Sequence, residues 1–358
     1  MNRQRRVSGA PGQPTEQGKP LVIEIEVAEG LESFAQDELK GLVRTNVAVS
    51  KGALTFTHTG QLAPLLSLHT ANSVYLLLHF PVPRPRALLG HEHFHRILAH
   101  IRLVRDIDPA AEFRTFFISA AGADSSVMQR LKQEIATQTG LVHGDENGDL
   151  LIRIRRSGEG WDVLLRLSAR PLATRPWRVC NYEGALNGPV ASAMAMLLNA
   201  SPDDVYVNLA CGSGTLLIEQ MSYQRVRWAA GIDRSTDALK CARQNIRATS
   251  LSHHVDLLQA DVRQLPLASN SVDLLSADLP FGQLSGSHTE NQRLYPALLH
   301  EAARIARPKA RFILITHEVR LIETLLSTSN LWKIVTVQRV SLRGLHPRIY
   351  LLQSVKEA

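Results

Sequence analysis

Apolar and polar positions follow two different rhythms along this chain, and the change falls near its midpoint. In the first half, short alternating runs are mixed with helical spacing. LVIEIEVA alternates with period two, Gly30 breaks it, and LESFAQDELKGL then sets Leu31, Phe34, Leu39 and Leu42 on one helical face. ALTFTH predicts a strand, QLAPLLSLHTA a helix and SVYLLLHF another strand, which together make a small α+β unit over residues 20–87. VPRPR, with two prolines and two arginines, reads as a linker. A second unit spans 88–179. FRTFFISA predicts a strand, and DSSVMQRLKQEIATQTG a helix capped by Asp124 or Ser125 and closed by Gly140. LLIRIRR and WDVLLRLSA pair as a hairpin across SGEG.

From about residue 185 the rhythm becomes strand, helix, strand. Nearly continuous apolar runs at VYVNLA (205–210), WAAGID (228–233), VDLLQAD (255–261), VDLLSAD (272–278) and ARFILIT (310–316) are mostly separated by helical stretches. Strands without alternation imply a parallel sheet covered on both faces. The end differs: KIVTVQRVSL and RIYLLQSV are joined by RGLHP, too short for a helical crossover, so an antiparallel pair closes the sheet. The expected fold class is α/β, a Rossmann-like sheet over 180–358 behind the two α+β units.

Composition narrows the compartment. A chain of 358 residues has room for two or three domains. With 44% hydrophobic and 20% charged residues it has an ordinary globular composition. No apolar run nears the roughly 18–20 residues that cross a bilayer, so no membrane partner is expected. Residues 1–19 are basic and then rich in Gly, Pro and Gln; without the apolar core of a secretory signal they read as a disordered tail. The expectation is a cytoplasmic protein. Cys180, Cys211 and Cys241 are widely spaced and form no CxxC pair, which supports neither a disulfide nor a cysteine zinc site. Cys211, inside a glycine loop, reads as a small packing residue. The run HEHFHRILAH places His91 and His95 at i, i+4, but with no carboxylate-rich partner motif it reads as an exposed helix start, and no metal is expected.

Charge adds a hint about the partner. The net charge is +7 and the isoelectric point about 9.5. Lys and Arg outnumber Asp and Glu by 22 to 18 over residues 1–179 and by 18 to 15 over 180–358, so the excess is spread along the chain. Of the 40 cations 32 are arginines, whose fork suits phosphate. Arginine-rich codon usage gives the same count. Charge alone does not choose.

The chemistry is concentrated at the carboxyl ends of consecutive strands, where open α/β sheets bind ligands. The first strand runs into Asn208, then Ala210, Cys211, Gly212, Ser213, Gly214 and Thr215. Glycines there admit a ligand close to the backbone, and the following helix start offers unpaired N–H groups. Asp233, followed by Arg234, ends the second strand and is placed to accept hydrogen bonds from ribose hydroxyls. Asp261 and Val262 end the third, with Asp261 placed for an adenine amino group. Asp278, Leu279, Pro280, Phe281 and Gly282 end the fourth. A carboxylate, a rigid loop carbonyl and an aromatic plate at one spot are the parts needed to hold a flat base by its exocyclic amine.

In this order the features resemble the class I methyltransferases that act on amino groups, whose signature is Asn or Asp, Pro, Pro, then Tyr or Phe. More narrowly, nearly everything after residue 20 resembles the THUMP-domain RNA methyltransferases that form N2-methylguanosine in tRNA. GLESFAQDELKGL and LSLHTANSVYLLL resemble their N-terminal ferredoxin-like unit, and 88–179, ending in PLATRPWRV, their THUMP module. ALNGPVASAMAMLL resembles the helix that opens their catalytic domain, and VSLRGLHPRIYLL their closing hairpin. Two positions depart from the pattern: Leu279 replaces the first proline, and Asn208 stands where many members carry Asp.

The resemblance implies S-adenosylmethionine as cofactor and RNA, tRNA foremost, as partner. By the same resemblance and by charge, Lys132, Arg153, Arg155, Arg175, Arg178, Arg343 and Arg348 are the RNA-backbone candidates. Asp278 and the Leu279 carbonyl would each accept one N–H of the amine, with Phe281 stacked on the ring. Four other readings stay open: ribosomal RNA as acceptor, adenine N6 or a protein glutamine amide as acceptor, a nicotinamide oxidoreductase, and a non-catalytic RNA-binding module. Gly212-Ser-Gly214 lacks the third glycine of the dinucleotide fingerprint, and a THUMP-like front half disfavours a protein acceptor. Monomer and homodimer fit the pattern equally.

Overall fold

A computed structural model describes residues 20–108, 112–280, 287–342 and 344–357. The tail 1–19 expected to be disordered lies outside the described residues, as do Phe281, Gly282 and Arg343.

The front half is one eight-stranded sheet. Its strands are β1 (Leu21–Val27), β2 (Ala48–Ser50), β3 (Ala53–His58), β4 (Ala71–Phe80), β5 (Thr115–Ala120), β6 (Val142–His143), β7 (Leu150–Ser157) and β8 (Gly160–Arg166). They lie in the order β2-β3-β1-β4-β8-β7-β5-β6. Helices α1 (Glu32–Lys40), α2 (His91–Ile107) and α3 (Ser126–Thr139) accompany it. The alternation that predicted the strands decides the packing: Ile23 and Ile25 join one apolar core with Val74, Leu76, Ile152, Ile154, Val163 and Leu165. The intervening positions, Glu24, Glu26, Tyr75, Arg153, Arg155 and Asp162, share the other face. The boundary at VPRPR is bridged, because β4 pairs antiparallel with β8, from Tyr75 opposite Arg166 to Phe80 opposite Trp161. QLAPLLSLHTA forms only a short 3-10 turn over Ala63–Ser67, with Pro64 at its start. α3 is bounded as expected, by a Ser125 side chain accepting from the Met128 N–H and by left-handed Gly140.

The second half begins with α4 (Gly188–Leu198) and continues through β9 (Val205–Leu209), α5 (Thr215–Tyr223), β10 (Trp228–Asp233), α6 (Thr236–Arg247), β11 (Asp256–Gln259) and β12 (Val272–Asp278). α7 (His288–Ile305), β13 (Ala306–Thr316), α8 (Val319–Thr328), β14 (Trp332–Arg339) and β15 (Arg348–Ser354) complete it. The sheet order is β11-β10-β9-β12-β13-β15-β14, parallel except where β15 inserts antiparallel between β13 and β14. From central β9 the chain first winds outward through β10 and β11, then returns to β12 on the other side. That reversal leaves a crevice at the carboxyl ends of β9 and β12.

The halves share a core. Ala28, Leu31 and Phe34 pack with Leu186, Val190, Val340 and Ile349. Fully burying side chains such as Leu31 and Phe34 contributes about 1.5–3 kcal/mol each. Gly30 makes the approach possible: its φ is +95°, and a Cβ there would sit 2.0 Å from the Arg339 carbonyl oxygen. Across this junction the Ser341 N–H donates to the Glu29 carbonyl and the Gln338 amide to that of Gly30.

One expectation fails here. Cys180 and Cys241 form a disulfide, with Cα atoms 5.4 Å apart. They lie 61 positions apart in sequence, but α6 is amphipathic and turns Cys241 inward, onto the segment that leads from the front half into α4. Sequence spacing carries no information about that approach.

Candidate active site

The glycine loop is shaped by backbone bonds to β10. Ala210 leaves β9 with φ +49°, a left-handed conformation that costs an L-residue roughly 1–2 kcal/mol. The Cys211 N–H then donates to the Ile232 carbonyl, and the Gly212 N–H to Asp233 Oδ2 at 2.9 Å. Gly214, at φ +84°, caps α5, whose first residue is Thr215. Cys211 is buried and its thiol is pushed up by burial and then by the Asp233 charge, which leaves it a packing residue and not a nucleophile.

Asp233 holds the loop from below. Its Oδ1 accepts the Ser235 N–H at 2.8 Å and its Oδ2 the Gly212 N–H, and each oxygen retains a lone pair for a ribose hydroxyl. Arg234 beside it is exposed. Asp261 is more occupied. Arg263 grips it through Nε at 2.9 Å and Nη2 at 2.5 Å, and holds its carboxyl below the usual range. The carboxylate assigned to adenine is therefore already engaged by a neighbour two residues on. Val262 is buried in the core.

Across the crevice, Asn208 is buried; its Nδ2 donates to the Ser276 carbonyl at 3.2 Å, and its Oδ1 has no partner among the described residues. Ser213 Oγ and Asp278 Oδ1 are likewise buried and unpaired among the described residues. Each such orphan costs about 1–3 kcal/mol, so three in one crevice fit a ligand that supplies donors. S-adenosylmethionine, with an ammonium and ribose hydroxyls, meets that donor requirement. Burial pushes the Asp278 carboxyl up to about 7.

The loop after β12 shows why Leu replaces Pro at 279. Its side chain is in the core, and its N–H donates to the Ile315 carbonyl at 3.0 Å, a bond that proline would forfeit. The Pro280 carbonyl is tied from behind by Asn291 Nδ2 at 3.0 Å and by the Tyr295 hydroxyl at 2.8 Å. No hydrogen bond among the described residues uses the Leu279 carbonyl. Asn291 and Tyr295 escaped the sequence analysis because a polar residue and an aromatic at i, i+4 on an amphipathic helix read as ordinary surface and core.

The basic candidates divide. Lys132 lines an open groove of about 560 Å³ with Ser126, Gln129, Arg130, Gln133, Ala136 and His143. Arg153 engages Glu26 and Tyr75, and Arg155 engages Glu24 and Asp162, on the polar face of the front sheet. Arg348 pairs with Glu323. Arg175 is a correction: it is buried, with its Nε on Glu219 at 2.6 Å and further bonds to Leu172, His69 and Ser192, so its fork is turned into the protein and not toward phosphate. Arg178 is also drawn inward, donating to the Leu186 carbonyl and Thr215 Oγ1 and lying over the Trp177 ring. Among the described residues no cluster of three or more His, Cys, Asp or Glu is placed to hold a metal, and no helix is long and apolar enough to cross a membrane.

A parallel sheet closed by an antiparallel hairpin, with a glycine loop facing an Asp-Leu-Pro turn at the switch point, is the class I methyltransferase fold. Residues 175–348 match the family model described as RMKL-like, methyltransferase domain. Murine tRNA (guanine(6)-N(2))-methyltransferase THUMP3 is 32% identical over 186 residues, covering 48% of this chain and 37% of the relative. Bovine U6 snRNA (guanine-N(2))-methyltransferase THUMPD2 is 33% identical over 148 residues, 41% of this chain and 28% of the relative. This chain therefore spans 37% and 28% of the lengths of these two curated relatives. The crystal structure of TrmN from Thermus thermophilus superposes with a TM-score of 0.74 at 23% identity, covering 94% of this chain and all of that one.

Proposed function

We propose that this chain is an S-adenosylmethionine-dependent methyltransferase that forms N2-methylguanosine in RNA, with tRNA as the first substrate to test. One observation carries the reading: Asp278 Oδ1 is buried and, among the described residues, unpaired in the crevice that the glycine loop borders. A buried carboxylate without a donor is destabilising, and the exocyclic amine of a base supplies the missing N–H. The guanine-N2 activities of the relatives named above support the acceptor.

S-adenosylmethionine supplies an electrophilic methyl on a sulfonium with a neutral leaving group. Asp278 and the Leu279 carbonyl each accept one N–H, so that the nitrogen lone pair is turned toward the methyl. The N–C bond forms as the S–C bond breaks and its pair stays on sulfur. Asp278, with a carboxyl near 7, can receive the released proton. Alignment of this kind supplies up to roughly 7–11 kcal/mol. Asn208, Ala210, Gly212, Ser213, Gly214 and Asp233 line the cofactor side. Residues 20–87 and 88–179 serve as the ferredoxin-like and THUMP-like RNA-binding units, with Lys132, Arg153, Arg155 and Arg348 as backbone contacts, in a cytoplasmic enzyme.

Labelled cofactor, total tRNA and ribosomal RNA, followed by nucleoside mass spectrometry, test this directly. Label in N2-methylguanosine from tRNA is the expected result. Label in N6-methyladenosine, label confined to ribosomal RNA or protein, or no transfer at all would overturn it at the base, the substrate or the activity.

A further inference from the structure

The Pro280 carbonyl accepts two hydrogen bonds from one helix. Asn291 and Tyr295 stand one turn apart on α7, and both residues are fully buried. A carbonyl can only accept, so the Asn291 amide must present Nδ2, which fixes its orientation. The directions of the remaining bonds follow. Tyr295 spends its single proton on the Pro280 carbonyl, so the 2.7 Å contact between Tyr295 and Thr316 Oγ1 must be donated by the threonine. Thr316 Oγ1 in turn accepts the Glu318 N–H at 3.0 Å. A directed chain thus runs from Glu318 through Thr316 and Tyr295 to Pro280, each member polarising the next. Burial raises the Tyr295 hydroxyl, so it remains a donor across the working pH range.

α7 itself is fixed where it starts. Ser287 and Glu290 form a reciprocal capping box, and His288 Nδ1 lies 3.0 Å from the Glu318 carboxylate at the end of β13. The helix therefore cannot slide without breaking its cap and its tie to the sheet.

We propose that Asn291 and Tyr295 are positioning residues for methyl transfer: by saturating the Pro280 carbonyl from behind, they hold the turn so that the Leu279 carbonyl, and not that of Pro280, faces the amine beside Asp278. This rests on the function proposed above. Neither side chain touches substrate. Rotation of the 279–280 peptide would turn the Leu279 carbonyl away from the amine, and a misplacement of about 1 Å at a reacting centre costs on the order of a hundredfold in rate.

The test is Tyr295→Phe, Asn291→Leu and the double variant in the full chain, with transfer to tRNA, calorimetric binding of S-adenosylmethionine and thermal melting measured together. The double variant is expected to lose on the order of ten- to a hundredfold in kcat, with cofactor Kd within about twofold of wild type, because the interaction acts only at the amine. If the double variant does not fold, Tyr295→Phe alone, which removes one oxygen, carries the same expectation with a smaller loss. Should wild type turn over and the variants match its kcat, or lose cofactor binding and melting temperature in step with kcat, the inference falls while the function stands. A wild type that binds cofactor but methylates no amino-bearing base brings down both.

Discussion

Arg175 and Glu219 form an ion pair at 2.6 Å with 6% and 2% of their side chains exposed, and the pair joins the end of the front half to α5 behind the glycine loop. Burial alone would raise the Glu219 carboxyl; hydrogen bonds and charge from His69, Arg175 and Ser192 outweigh it and hold it below its ordinary value. Arg175 directs Nε, Nη1 and Nη2 to partners inside the protein, so the role of the pair is to set how the two halves meet.

Breaking one side of that pair leaves a buried charge without compensation. Glu219→Gln is expected to cost about 3–5 kcal/mol in urea unfolding, with most of it recovered in an Arg175→Met, Glu219→Leu double variant. A loss below about 1 kcal/mol would place the pair among solvated surface contacts instead.

Turnover should depend on Asp278 far more than cofactor binding does. Asp278→Ala is expected to lower kcat on the order of a thousandfold or more while calorimetric affinity for S-adenosylmethionine stays within a few fold. Near-wild-type turnover would remove this carboxylate from the mechanism.

The acceptor form of Asp278 is the carboxylate, and its carboxyl stands at about 7. kcat/KM is therefore expected to fall about tenfold per unit as pH drops below 7 and to level off above it. Saturating cofactor, through its positive sulfonium, should move the limb in kcat to lower pH. A profile flat from pH 5 to about 8 would contradict the assignment.

The same burial has a price in stability. Above the ordinary carboxylate range the unfolded chain ionises at residue 278 while the folded one does not until about pH 7. Folding is then disfavoured increasingly from about pH 4 to 7 and to a constant extent above. Asp278→Asn, which does not titrate, should melt higher than wild type at pH 8, by about 2–4 °C for each kcal/mol relieved, with the gap closing at pH 4. An equal gap at both pH values would show that charge burial is not its cause.

The Cys180–Cys241 bridge closes a loop of about sixty residues, for which chain entropy gives an upper figure of about 4 kcal/mol. Thiol titration in denaturant should find one group, Cys211, without reductant and three with it, and reduction should lower the melting temperature. Three thiols without reductant would show that the bridge does not form.

Much of the fold was legible because it rests on local rules. Period-two alternation marked β1, β3, β7 and β8, continuous apolar runs marked the parallel strands, and a connection too short for a helical crossover forced β14 and β15 to be antiparallel. The place of the candidate site was legible too, since Asn208, Asp233 and Asp278 each stand at the carboxyl end of a strand, and strand order brings strand ends together. What side chains do after the chain has folded was not legible. Arg175 reads as a cation for phosphate until Glu219, forty-four residues on, arrives beside it. Cys180 and Cys241 read as separate thiols, and Asp261 as free, because their partners are chosen by helix rotation and loop path. Asn291 and Tyr295 acquire a role only when α7 lies behind Pro280. Sequence by itself determined where backbone hydrogen bonds and apolar faces must go, since both are settled within a few residues. Only the tertiary structure decided which polar groups meet, since a hydrogen bond or ion pair depends on approaches of a few ångströms between segments that hydrophobic periodicity leaves free.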